Sequence, residues 1–208
     1  MTHFFRFQSK QLVLLIALLL SACTPPSQRD DPEKINVVST VSPLTNIVYN
    51  IGGDRIELTG IVPEGVNSHT FEPTPSEAQA LARADHIIIN GLHLEQPILT
   101  LAIANLKAGA EIISLGELTI SEAEYIYYFS FPREVGSPNP HLWTHPLHAQ
   151  RYAEIVTAAL SDADSENTEY YTANFDAFTA RLTELDKAIA TTIESISLEN
   201  RKLLTYHD

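Results

Sequence analysis

The sequence predicts an α/β fold. An N-terminal lobe carries a mainly parallel four-stranded sheet flanked by helices, a long linking helix follows, and a second α/β lobe begins and is truncated. Three observations predict this. Short apolar, β-branched runs alternate with helical segments, the pattern of parallel strands joined by right-handed crossovers. An apolar stripe of helical period runs from Asn167 to Ile196 without Pro or Gly. A last strand-like run, Lys202 to Tyr206, has no crossover helix or partner strand after it, which reads as a chain cut short.

Residues 1–22 read as an export signal. Arg6 and Lys10 precede an apolar run from Leu12 to Leu20, and small residues Ser21 and Ala22 stand before Cys23. The run is shorter than the roughly 20 residues of a membrane-spanning helix. Leu20-Ser21-Ala22-Cys23 matches the bacterial lipobox, whose cysteine is lipidated and becomes the mature N-terminus. More than one acyl chain gives firm anchoring. The expectation is an exported protein, lipid-anchored to the membrane through Cys23 and facing the periplasm or cell exterior. Residues 23–34, polar and Pro-containing, read as its tether.

The lobe spans 35–165. Ile35 to Thr40 is a β-branched run read as a buried strand. Ser42 and Pro43 open a helix to Asn50, with Pro suited to the first turn. Gly52-Gly53-Asp54 makes a turn, and Ile56 to Val62 a second strand. A proline-rich loop reaches Pro75, and Ser76 is expected to cap a helix to about Ala84. His86 to Asn90 is a third strand, Glu95 to Leu106 a helix, and Ala110 to Ser114 a fourth strand. Residues 117–140 are aromatic and irregular, compatible with a hairpin or a packed loop. Pro146 to Ser161 is a helix. The linking helix, 166–197, has apolar steps of three and four, and at about 1.5 Å per residue it would be roughly 45 Å long. That length suits a rigid spine between two lobes. Residues 198–208 would begin the second lobe.

The chain has 208 residues, a formal net charge of -13 and one cysteine. The acidic balance disfavours nucleic acid, whose phosphates would repel it. A single cysteine excludes an intramolecular disulfide. The sequence contains no His-Glu-x-x-His, no Gly-x-Ser-x-Gly and no Gly-rich phosphate loop, so no enzyme motif is present.

Eight histidines are present. His69 lies in Asn67-Ser68-His69-Thr70-Phe71-Glu72-Pro73 after a strand, His141 in Asn139-Pro140-His141-Leu142-Trp143 before a helix, and His207 after the last strand. Ligands of open α/β sheets bind beyond the carboxyl ends of the strands. Three converging imidazoles suit zinc or a related divalent ion. His86, His93 and His148 read as ordinary structural or surface residues. Glu72 reads as a hydrogen-bonding loop residue, and Trp143 with the aromatics of 117–140 as packing.

VNSHTFEPTPSE around His69, then NGLHLE, NPHLW around His141, the long helix and TYHD occur in an order that resembles the zinc and manganese receptor family of ABC transporters. The resemblance runs from Ile35 to the last residue. It implies two lobes joined by a rigid helix with the metal held between them, and no catalysis. It implies His69, His141 and His207 as ligands, and a carboxylate in the absent second lobe as the fourth, which cannot be named. It implies an ABC membrane permease as partner and a monomeric receptor. A third imidazole is softer than a carboxylate and tilts the site to Zn2+, with Mn2+ as the alternative. Two departures stand out: 117–140 lacks histidine, which zinc-type members often carry there, and His145 stands where an aspartate is common. Other readings are a zinc hydrolase, which needs an open coordination position and a general base, and an adhesin-type lipoprotein of the same fold involved in cell adhesion.

Overall fold

The computed structural model describes residues 34–127 and 132–203. The signal, Cys23, most of the tether, four residues of the aromatic loop and His207 lie outside the described residues. The four strands are β1 (Ile35–Ser39), β2 (Ile56–Gly60), β3 (His86–Ile89) and β4 (Glu111–Ser114). They form one sheet in the order β2-β1-β3-β4, and every pairing is parallel. The register places Val37 beside Leu58 and His86, and Ile87 beside Ile112. β3 is buried along its whole length, as a central strand covered on both faces must be.

Five helices accompany the sheet: α1 (Ser42–Gly52), α2 (Pro75–Arg83), α3 (Gln96–Asn105), α4 (Pro146–Ala163) and α5 (Thr168–Glu194). Prolines sit in the first turns of α1 to α4, where the missing N–H costs nothing. Leu44, Val48 and Ile51 of α1 pack with Leu81, Ile87, Ile98, Tyr152 and Tyr171 in one continuous core. Strand and helix positions follow the expectations to within a few residues.

One expectation is corrected and two are narrowed. Thr74, not Ser76, is the N-cap of α2: Glu77 reaches back to the Thr74 backbone N–H at 2.6 Å and also bonds its hydroxyl. This reciprocal pairing holds the Glu77 carboxyl below its ordinary range, through the Thr74 hydroxyl first and its backbone N–H second. The described part of 117–140 contains 3-10 turns at Glu122–Glu124 and Arg133–Val135, and no strand. Of the run expected as a fifth strand, Lys202 and Leu203 are non-strand, and 204–206 lie outside the described residues.

The long helix is present as α5, 27 residues or roughly 40 Å. Its first half docks on α1 and α4: Tyr171 and Phe178 are buried, Asn174 Nδ2 donates to the Ile51 carbonyl at 2.9 Å, and Arg181 Nη2 to Asn50 Oδ1 at 2.7 Å. Further along, Leu185, Ile189 and Ile193 continue the same stripe at 50, 46 and 48% exposure. No helix of the described residues is long and apolar enough to cross a membrane.

The parallel sheet puts the carboxyl ends of all four strands along one edge. The loops after β2, β3 and β4 meet there, and they carry the candidate site.

Candidate metal centre

His69 lies in the loop between β2 and α2, and His141 in the segment between β4 and α4. Each is set by the same local device. The His69 backbone N–H donates to Asn67 Oδ1 at 2.9 Å, and the His141 backbone N–H donates to Asn139 Oδ1 at 2.9 Å. An asparagine that accepts from the amide two residues on closes an Asx turn, and both loops use Asn-x-His to do it.

The two rings meet. His69 Nε2 and His141 Nε2 are 3.1 Å apart, with ring centroids 5.2 Å apart and planes at 61°. Two nitrogens bound to one tetrahedral ion at about 2.05 Å each stand roughly 3.3 Å apart, so the observed spacing fits a shared ion. Trp143 packs edge-on with His141, centroids 5.2 Å apart and planes at 76°, and limits the swing of that ring. Trp143 also packs against the core, as expected of a packing residue.

Asn139 does a second job. Its Oδ1 lies 2.9 Å from His141 Nδ1 as well as accepting the backbone N–H. A backbone N–H only donates, so the atom it meets is the amide oxygen, and Nδ1 must then carry the proton. The His141 lone pair is left on Nε2, the atom that faces His69. The sequence alone does not single out Asn139 as this partner. The repeated Asn-x-His spacing was the available signal.

A buried carboxylate stands at the N-cap of α3. Glu95 is 3% exposed and accepts from Thr40 Oγ1 at 2.6 Å, from the Asn90 N–H at 2.7 Å and from the Gly91 N–H at 3.1 Å. Burial, the largest influence, pushes its carboxyl above the ordinary range despite these donors.

The remaining histidines stand apart. His86 is buried at the opposite, amino end of β3, its Nδ1 3.9 Å from Glu111 Oε2. His93 is exposed in a turn. His145 is exposed and is the N-cap of α4: its Nδ1 accepts the Leu147 N–H at 3.2 Å. The aspartate common at this position in the resembling family is also a favoured cap residue. His148 lies against His145, rings 5.0 Å apart, and its pKa is lowered first by burial and then by that neighbour. Glu72 is exposed. No group of three or more His, Cys, Asp or Glu that would hold a metal occurs among the described residues, so His69 and His141 meet as a pair there.

Known proteins share this architecture. The metal ABC transporter substrate-binding lipoprotein FimA of Streptococcus parasanguinis is 31% identical over 196 residues, which cover 93% of this chain and 63% of that protein. The manganese ABC transporter substrate-binding lipoprotein PsaA of Streptococcus pneumoniae is 30% identical over 197 residues, 93% of this chain and 64% of that one. The chain therefore spans slightly under two thirds of these curated relatives. Among solved structures, the Mn-bound periplasmic metal binding protein of Candidatus Liberibacter asiaticus superposes with a TM-score of 0.69 at 30% identity, over 79% of this chain and 59% of that one. The model of the family described as zinc-uptake complex component A periplasmic matches residues 37–208, and the chain belongs to that family.

Proposed function

We propose that this chain is the capture lobe of an extracytoplasmic receptor that binds a divalent transition metal and hands it to an ABC importer. The observation that carries the reading is the pair of Nε2 atoms 3.1 Å apart, brought together from loops 72 residues distant in sequence. The Asx turns preset both loops and the Asn139 contact orients the His141 ring, so less ordering remains to be done when the metal cargo arrives. The names of the relatives, which concern metal uptake by ABC transporters, point the same way.

His207 is the proposed third ligand, and no fourth is assigned. With three imidazoles the cargo is zinc first and manganese second, by ligand softness. Relatives associated with manganese keep the second option open. The exposed stripe of Leu185, Ile189 and Ile193 suits a helix that serves as a spine between two lobes. Cys23 is the proposed lipid anchor, and a membrane permease the partner. A hydrolase would need a general base and an open position on the metal; an adhesin would need a partner surface independent of metal. No observation favours either.

The test is metal retention by the purified chain after equilibrium dialysis against Zn2+ or Mn2+, beside His69→Ala and His141→Ala. One ion per chain is expected for the parent, and strong loss for each variant. Unchanged stoichiometry in both variants would overturn the reading.

A further inference from the structure

The turn that follows β3 is held in an unusual way. Gly91, Leu92 and His93 have successive φ values of +79°, +52° and +65°. Only the first is a glycine, so two residues with side chains occupy the left-handed region, which is costly unless the surroundings over-determine it. Here they do. The backbone N–H groups of Asn90 and Gly91 donate to Glu95, and that of Leu92 donates to Glu117 Oε1 at 2.7 Å. A Cβ on Gly91 would collide with the Glu117 carboxylate. Two carboxylates thus grip three consecutive amides.

What this turn presents is the Asn90 side chain, fully buried and fully committed. Its Nδ2 donates to the Pro140 carbonyl at 2.9 Å and to the Gly91 carbonyl at 3.1 Å, and its Oδ1 accepts from Tyr152 Oη at 2.9 Å. Pro140 is the middle residue of the Asx turn that sets His141. Thr40, at the end of β1, ties Glu95 to the sheet.

We infer that Asn90 is a positioning residue for the metal site: braced by Glu95, it fixes the backbone of the His141 loop through the Pro140 carbonyl. The constraint runs from the sheet through Thr40 and Glu95 to the 90–95 turn, and from Asn90 to the peptide just before His141. The inference rests on the capture reading proposed above. Loss of this bond frees the loop while leaving His69, His141 and Asn139 themselves intact.

The experiment compares the parent chain with Asn90→Ala and with Leu160→Ala, a core truncation at the far end of α4 that serves as a stability control. Should Asn90→Ala fail to fold, Asn90→Ser replaces it, since its hydroxyl stays near Tyr152 but falls short of Pro140. Two readouts are taken: Zn2+ affinity, and the long-range 1H–15N spectrum of the histidine rings without metal. Expected for the Asn90 variant is a drop in affinity of roughly 10- to 100-fold, the range for lost support of a ligand. The His141 ring signals should move while those of His86 stay. The Leu160 variant should keep both. Zn2+ affinity within twofold of the parent, with unmoved His141 signals, overturns the inference. If the parent itself binds no metal, the capture reading fails, and the His141 ring signals alone decide whether Asn90 positions that loop.

Discussion

Asn139 Oδ1 meets both the backbone N–H and the ring Nδ1 of His141, each at 2.9 Å. One amide oxygen therefore sets the turn, the ring orientation and the tautomer. Asn139→Ala removes all three constraints, and a fall in Zn2+ affinity of about 10- to 100-fold is expected, the range seen when the hydrogen-bond partner of a ligating histidine is lost. Calorimetric titration of the purified variant checks this. Equal affinity would mean that Trp143 alone suffices to orient the ring.

Glu95 predicts a pH signature. Its ordinary pKa of 4.5 is raised in the folded state, mainly by burial. A carboxyl with a raised folded pKa adds stability below its unfolded value, and that contribution is lost as pH rises through the folded value. The window opens near 4.5 and extends upward. Glu95→Gln cannot titrate, and all other groups cancel between the two proteins. The stability of the parent relative to the variant should thus be greater at pH 4.5 than at pH 7. Urea unfolding at both pH values measures it, and equal differences would show that the native donors fully offset burial.

His145 caps α4 through Nδ1 at 3.2 Å from the Leu147 amide, a long contact for a cap. A carboxylate is a stronger acceptor and also favours the helix N-terminus electrostatically. His145→Asp should stabilise the chain by about 0.5–1 kcal/mol in thermal unfolding. It should also raise the pKa of His148, now held down by burial first and by His145 second, because repulsion is replaced by attraction. Titration of the His148 ring by NMR reads that shift. Zn2+ stoichiometry should not change, since His145 is not one of the converging rings.

Much of this was legible in the sequence, and the physical reasons differ by element. β-branched runs and a stripe from Tyr171 to Phe178 report burial directly, because burial selects apolar side chains at a fixed period. His69 was legible at the strand edge because it follows β2, whereas His141, in a loop before a helix, was legible through the resemblance of its NPHLW surroundings. The support behind them was not. Glu95 looks like an acid at a helix start, yet its side chain turns back to Thr40, 55 residues away. Asn90 reaches Pro140 and Tyr152 across 50 and 62 residues. Such partners depend on tertiary placement and leave no local spacing to read. The cap of α2 was misplaced for a local reason: Thr74, Pro75 and Ser76 offer two hydroxyls, and only the reach of Glu77 chooses between them.

His93 supplies the sharpest contrast among the histidines. It lies in the same edge-loop region as His69 and His141, but it is exposed and its φ is +65°. A non-glycine residue there carries a left-handed strain of roughly 1–2 kcal/mol. Glycine relieves it and adds about 0.4–1 kcal/mol of unfolded-state entropy in opposition. His93→Gly should consequently be neutral or stabilising by up to about 1 kcal/mol, whereas a β-branched His93→Val should destabilise. Both variants should hold as much Zn2+ as the parent, because this imidazole is not one of the two that meet. Thermal unfolding and metal analysis of the two proteins together decide the matter. A glycine variant that lost its metal would place His93, and the turn it belongs to, inside the coordination sphere.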